Sequence, residues 1–285
     1  MSRGEAIIAV EQLTYRYPSA PPGPPALSDI TLSIARGSCT AIVGVTGSGK
    51  STLVQHFNAL LRPSAGRVLL NGRDLADRAT DLRAVRRMIG MLFQFPEAQL
   101  FAPTVLADVM FGPRRAGLSQ PAAAARAAAA LELVGLPAQQ YGMRSPFGLS
   151  GGQRRRAALA GVLALDPAVL VLDEPTVGLD AGGRAEFYRY LRAVRQARAT
   201  TVVLVSHDMA EVAALADWAL VLHGGRLVAQ ARPAELFADA GALAAWGLAA
   251  PPLFELLAEL RLRGIAVPAG VATLEQAFEA LRGRQ

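Results

Sequence analysis

The chain has 285 residues, is 52% hydrophobic and 18% charged, and carries a net charge of +6 with a pI near 10.2. That composition supports a sizeable core in one large domain, or one domain with an appendage, and excludes wholesale disorder. The positive charge is scattered arginine, with short clusters only at Arg86-Arg87, Arg114-Arg115 and Arg154 to Arg156, so charge alone does not point to nucleic acid.

Cys39 is the one cysteine, which rules out an internal disulfide or a thiol metal cluster and fits a reducing cytoplasm. Residues 1–11 are short, mixed and without an apolar core, unlike a signal peptide. A membrane span needs about 20 apolar residues. The closest run, 240–254, is shorter and is broken by Gly247, Pro251 and Pro252. A soluble chain is expected, one that reaches a membrane only through a partner or its surface.

In chain order, residues 6–10 and 14–17 read as two strands, followed by a proline-rich connector at 18–25 that cannot continue a ladder. Residues 30–34 alternate apolar and polar, as a half-buried antiparallel strand does. Residues 39–43 form a short apolar run ending in a glycine loop, the pattern of a buried parallel strand, and 52–61 then predict a helix. Between 102 and 165 the character turns helical. Residues 122–130 are nearly all alanine, with Ser119 and Pro121 suited to the first turn, and 153–163 carry further helical patterning. Residues 169–172 and 201–205 are continuous apolar, β-branched runs expected as buried parallel strands. A short strand at 226–230 leads into an Ala/Leu-rich helical tail. Strand and helix alternate, so an α/β fold is expected, with a helical subdomain inserted at about 95–165 and a boundary near 228/229 before the tail.

Gly44-Val45-Thr46-Gly47-Ser48-Gly49-Lys50-Ser51 fits the phosphate-loop pattern G-x-x-x-x-G-K-[ST]. Lys50 is the chain's single lysine among 29 basic residues. A loop wrapped tightly on a phosphate needs a compact, rotatable ammonium, for which a planar guanidinium is a poor substitute. The strand before the loop and the helix after it favour nucleotide binding over a plain structural turn. Backbone N–H groups would cradle the phosphates, Lys50 would reach the terminal ones and the Ser51 hydroxyl would hold Mg²⁺. The strand at 169–172 ends in Asp173-Glu174. Paired acids there can simply open a turn at Pro175; beside a phosphate loop, Asp173 is placed to bind Mg²⁺ and Glu174 to polarise an attacking water.

Leu149-Ser150-Gly151-Gly152-Gln153 lies about a hundred residues after the phosphate loop and just before the Asp-Glu strand. It matches the LSGGQ signature of ATP-binding-cassette (ABC) ATPases, which this chain resembles over residues 5–230. The resemblance implies a P-loop NTPase fold with an antiparallel β subdomain, an inserted helical subdomain and a small C-terminal helical domain. It implies ATP and Mg²⁺ as cofactors, and two cassettes that sandwich two ATP head to tail. Ser150, Gly151, Gly152 and Gln153 would then cover the γ-phosphate of ATP held by the second subunit.

By the same resemblance, Gly44, Thr46, Gly47, Ser48, Gly49, Lys50, Ser51 and Thr52 bind the nucleotide phosphates and Tyr17 stacks on adenine, with Tyr15 as the substitute. Gln94 senses Mg²⁺ and the attacking water, Asp180 in Gly178-Leu179-Asp180 contacts the opposite subunit, and His207 is the switch histidine at the γ-phosphate. Lys50, Gln94, Glu174 and His207 form the catalytic set, and Ser51, Gln94 and Asp173 the metal set. His56 and His223 match nothing in the family.

Phe93-Gln94-Phe95-Pro96-Glu97-Ala98-Gln99-Leu100-Phe101 resembles the ATPase subunits of energy-coupling factor (ECF) transporters, which import vitamins and transition-metal ions. Phe95 and Glu97 resemble the second, A-prime type; a cobalt/nickel or other ABC transporter ATPase is the alternative. Trp246-Gly247-Leu248, residues 251–260 and Thr273-Leu274-Glu275-Gln276-Ala277 resemble the family's C-terminal helical dimerisation domain. The resemblance implies a peripheral protein on the cytoplasmic face of the cell membrane. Its partners would be a second ABC ATPase subunit, a membrane T component docking near Gln94 to Phe101 on Phe95, Leu100, Phe101 and Glu97, and indirectly a substrate-specific S component. Nucleic acid is not among them: the coiled-coil insertion or tandem cassette of soluble ABC ATPases that act on DNA or ribosomes is missing.

Overall fold

The computed structural model describes residues 5–19, 21–268, 271 and 274–282. It begins with β1 (Ala6–Tyr15) and β2 (Leu27–Ala35), paired antiparallel. The two strands expected at 6–10 and 14–17 are one. Gln12, at φ 50°, forms a bulge between Val10 and Leu13 that keeps both halves of β1 facing the core.

β3 (Cys39–Val43) is buried at all five positions and feeds the glycine loop into α1 (Lys50–Phe57). This helix stops short of the expected residue 61. Ala59 turns to φ 54°, and the Leu60 and Leu61 amides both reach back to Gln55 O. β4 (Ala65–Leu70) and β5 (Arg73–Asp74) complete a four-stranded antiparallel sheet in the order β2-β1-β4-β5. α2 (Leu82–Met88) then leads to β6 (Ile89–Leu92).

The inserted section is helical as expected: a 3-10 turn at Pro96–Gln99, then α3 (Val105–Arg115), α4 (Gln120–Leu133), α5 (Ala138–Tyr141) and α6 (Gly151–Leu163). Ser119 caps α4 by accepting from Ala122 N, with Pro121 in the first turn. Ala123, Ala127 and Ala130 lie on one helical face and are fully buried, so the alanine run permits close helix packing as well as favouring the helix.

β7 (Val169–Asp173), α7 (Ala181–Arg198), β8 (Thr201–Val205), α8 (Met209–Leu215), β9 (Trp218–His223) and β10 (Arg226–Ala231) follow. The second sheet has the order β10-β9-β3-β8-β7-β6, with β10 antiparallel to β9 and the other pairs parallel. β3, β7 and β8 are buried at every position, as interior parallel strands require. Each fully buried Val or Leu there contributes roughly 1.5–3 kcal/mol. The register pairs Ile42 with Val205, Leu172 with Leu204 and Leu92 with Leu172. The carboxyl ends of β3, β6, β7 and β8 therefore meet at one sheet edge, where ligands bind in open parallel sheets.

β10 runs past the expected boundary at 228. α9 (Pro233–Ala238), α10 (Ala240–Ala245) and α11 (Pro252–Leu262) follow it. Leu236, Phe237, Leu243 and Phe254 share a core with Ala41, Val43, Ala219 and Val221, so the start of the tail is packed onto the sheet. Farther on, Leu257, Val271 and Ala277 form a small core of their own, Ala277 coming from α12 (Leu274–Arg282). Of the sequence patterns above, residues 1–4, residue 20 and Thr273 lie outside the described residues. Among the described residues no helix is long and apolar enough to cross a membrane.

Candidate active site

The loop after β3 is closed around Lys50. Gly44, Gly47 and Gly49 take φ of 151°, 82° and 102°. At Gly44 a Cβ would sit 2.2 Å from Leu222 O and 2.6 Å from Ser48 Oγ, so backbone approach demands glycine there as much as φ does. Lys50 Nζ donates to Gly44 O at 2.8 Å and to Val45 O at 3.0 Å. An ammonium has three donors; two hold the loop and one remains for a phosphate oxygen. Burial pulls the Lys50 pKa down, and the carboxylates of Glu174 and Asp173 oppose that shift. The free N–H groups at the start of α1 add an anion site on the same loop.

Gly44→Ala is expected to introduce roughly 1–3 kcal/mol of local strain and to abolish the stabilisation of the chain by ATP. Thermal unfolding with and without ATP checks this. An ATP-induced rise equal to that of the unaltered chain would refute it.

Asp173 closes β7 and is buried, and its Oδ1 has no hydrogen-bond partner among the described residues. Burial raises its pKa, while a hydrogen bond from the Ser51 hydroxyl lowers it. The hard oxygens of Ser51 and Asp173, one of them orphaned, fit a magnesium ion. That ion takes only one or two protein ligands beside phosphate oxygens and water. No cage of three or more His, Cys, Asp or Glu occurs among the described residues, and this chemistry needs none.

Glu174 takes φ 53°, a left-handed conformation that costs a non-glycine residue on the order of 1–3 kcal/mol. A bond from its amide to Val205 O at 3.0 Å holds it there. Its Oε2 lies 2.6 Å from His207 Nδ1. Both side chains stand at the shared sheet edge, the imidazole mostly exposed and the carboxylate largely enclosed.

Of the two tyrosines, Tyr17 presents its ring at 40% exposure, whereas Tyr15 is buried at 7%. The Tyr17 hydroxyl shares a 3.0 Å hydrogen bond with Thr52 Oγ1. Tyr15 meets Tyr17 edge-on at 5.0 Å and His56 at 4.8 Å, so His56, unassigned from the sequence, backs this stack. Burial pulls the His56 pKa down, and its Nδ1 lies 2.8 Å from Thr52 O.

The remaining expected residues stand apart. Ser150 caps α6 by accepting from Gln153 N at 3.2 Å, and Gln153 Oε1 accepts from Ser150 N at 3.0 Å. A Cβ at Gly151 or Gly152 would meet nothing within 4 Å. Among the described residues, no hydrogen bond of 150–153 reaches the phosphate loop. Asp180 caps α7 by accepting from Gly183 N at 2.7 Å, and Gln94 is exposed two residues beyond β6. The fold thus gathers Lys50, Ser51, Asp173, Glu174 and His207, with Tyr17 joined to Thr52 of α1. Among the described residues it leaves Gln94, 150–153 and Asp180 with no hydrogen bond to that cluster.

In the loop after Gln94, Phe95 and Phe101 are exposed, and Phe101 meets Phe111 edge-on at 4.9 Å. Leu100, expected beside them, points into the helical core. Asp108 pins the loop by accepting from Phe101 N at 2.8 Å and Ala102 N at 2.7 Å. Glu97 turns inward, 3.6 Å from Arg155 Nη2. Two residues beside the site escaped the sequence reading. Arg155 is one of three consecutive arginines, and only packing selects it for burial. Glu211 is buried, and burial pushes its carboxyl up to about 7 against hydrogen bonds from Ser206 and Thr176; the one local signal was its place three residues after the cap Asp208.

Residues 27–177 match the family model described as ABC transporter. The energy-coupling factor transporter ATP-binding protein EcfA2 of Symbiobacterium thermophilum is 50% identical over 278 residues, covering 97% of this chain and 96% of that one. The protein of the same name from Clostridium perfringens is 41% identical over 275 residues, 96% of each. Among solved structures, cbiO1 of Clostridium perfringens, part of the ABC transporter complex cbiONQ, superposes with a TM-score of 0.76 at 36% identity, over 89% of this chain and 99% of that one. The cassette MJ0796, a dimer bound to ADP and Pi in a post-hydrolysis state, does so at 0.70 and 27%, over 79% and 98%. The chain belongs to the ABC transporter family, as an ATP-hydrolysing subunit of the energy-coupling factor type.

Proposed function

We propose that this subunit binds ATP with Mg²⁺ between itself and a second cassette ATPase, and hydrolyses it to drive import through membrane T and S components from the cytoplasmic face. The observation that carries the reading is the Glu174–His207 pair, 2.6 Å apart beside the loop of Lys50. Tyr17 stacks on the adenine, and residues 44–52 with Lys50 Nζ hold the phosphates. Ser51 and Asp173 would hold a magnesium ion, which would neutralise phosphate charge, with Gln94 sensing it as the resemblance implies. Glu174 accepts a hydrogen bond from the attacking water and draws a proton toward its carboxylate. His207 steadies that carboxylate and contacts the γ-phosphate.

The open space around Gly151 and Gly152 supports the shared site. Nothing among the described residues requires glycine there, whereas a phosphate on a partner subunit would need the backbone bare. Asp180, beside them in role, contacts the partner as well as capping α7. The exposed Leu256 and Leu262 of α11, Ile265 just beyond it and Phe278 of α12 give the C-terminal region apolar surface for holding two ATPases together.

For docking, Phe95 and Phe101 offer apolar surface to the T component. Burying a Phe contributes roughly 1.5–3 kcal/mol, and each 1.4 kcal/mol is about tenfold in affinity. Phe101→Asp is therefore expected to cut co-purification with the membrane components at least tenfold while ATP binding is unchanged. Full recovery of the membrane complex with that variant would sink the docking assignment.

A further inference from the structure

We propose that Arg155 is a positioning residue that ties the membrane-facing loop to the loop carrying Glu174. The residue is 5% exposed, a rare burial for arginine that needs compensation. Nη1 donates to Pro175 O at 2.9 Å and to Val177 O at 2.7 Å. Those two carbonyls flank Thr176, one and three residues after Glu174, and the same loop runs on to Asp180. Nη2 lies 3.6 Å from Glu97 Oε2, in the 3-10 turn after Gln94. The backbone of Arg155 sits in the first turns of α6, five residues after Ser150. One side chain thus joins three segments that the sequence holds far apart.

The bonds differ in kind. Both Nη1 bonds are short and fix the loop after Glu174. The contact to Glu97 is longer than a hydrogen bond, and Glu97 Oε2 and Arg155 Nε are buried with no hydrogen-bond partner among the described residues. Glu97 therefore acts on Arg155 by charge, and it can shift without a hydrogen bond being broken first. Whatever docks on residues 95–101 and draws on that carboxylate changes the compensation of a buried cation. The guanidinium then leans on the carbonyls of Pro175 and Val177, which set where Glu174 points. The strained φ of Glu174 makes its position sensitive to that anchoring.

The proposal rests on Glu174 acting on the attacking water. Its test removes the membrane: ATP hydrolysis by the full chain with its partner cassette, without T and S components. A Glu97 that only docks is silent there. A Glu97 that acts through Arg155 is not. Glu97→Gln is expected to lower kcat roughly 3- to 10-fold with KM for ATP within about 2-fold, the signature of an interaction that matters in the transition state. Arg155→Gln is expected to lower kcat further, and the double variant to be no slower than Arg155→Gln alone, since neighbours acting as a unit are not additive. Glu97 is partly exposed, so Glu97→Gln carries the test by itself if Arg155→Gln does not fold. An unchanged kcat for Glu97→Gln without the membrane components, a change in KM alone, or additive losses in the double variant would each overturn the relay. Failure of the underlying reading would show separately, as full-rate hydrolysis by Glu174→Gln.

Discussion

Glu174→Gln is expected to bind ATP normally and to hydrolyse it about 10²–10⁴-fold more slowly, the range that a positioned general base contributes. The amide is nearly isosteric, so the left-handed backbone and the bond to Val205 O survive. What is lost is the negative oxygen that faces His207 Nδ1 and is proposed to act on the water. Lys50 and the glycine loop are untouched, so phosphate contacts remain, and the variant should accumulate as a closed, ATP-loaded pair of cassettes. Single-turnover hydrolysis beside equilibrium ATP binding, in the assembled complex, makes the distinction. Turnover at the unaltered rate would remove Glu174 from its assigned role, and lost ATP binding would mean that the carboxylate holds the loop rather than acts on water.

Lys50→Arg keeps the charge and is nonetheless expected to lose ATP affinity roughly 10- to 100-fold. Lys50 Nζ fills the centre of a loop whose carbonyls, Gly44 O and Val45 O, lie 2.8 and 3.0 Å away. A hydrogen bond to a charged group contributes about 1.5–3 kcal/mol, and tenfold in affinity is about 1.4 kcal/mol. A flat guanidinium cannot direct donors to both carbonyls and a phosphate from that volume without moving the loop, and Gly44 leaves no room to move, lying against Leu222 O. Nucleotide titration of the purified variant checks this; affinity and turnover equal to those of the unaltered chain would defeat the tight-loop argument.

The elements that the sequence revealed most plainly are those whose chemistry is local. The phosphate loop needs glycines at positive φ, and they are printed in its pattern. Buried parallel strands need continuous apolar runs, and β3, β7 and β8 supply them. The 6–10 and 14–17 strands merged into β1 because a bulge at Gln12 looks like a break when only one strand is read. β4 shows little apolar pattern, its first three residues being exposed, and its main ladder is with the distant β1; β9 did carry a local signal, an apolar run joined to β10 by Gly224-Gly225. The resemblance put Tyr17 on the adenine with Tyr15 as the substitute; burial, which is a property of the folded chain, leaves Tyr17 exposed and encloses Tyr15.

By itself, then, the sequence determined the family, the phosphate chemistry and the order of the residues that serve it, since these rest on short runs whose backbone and charge requirements are satisfied within a few neighbours. Only the tertiary structure decided that Glu97 and Leu100 turn inward, that one of three consecutive arginines is buried, and that it touches both the turn after Gln94 and the loop after Glu174. Those facts depend on which side chains meet when α6 packs across the end of the sheet, and long-range packing leaves no mark in local sequence.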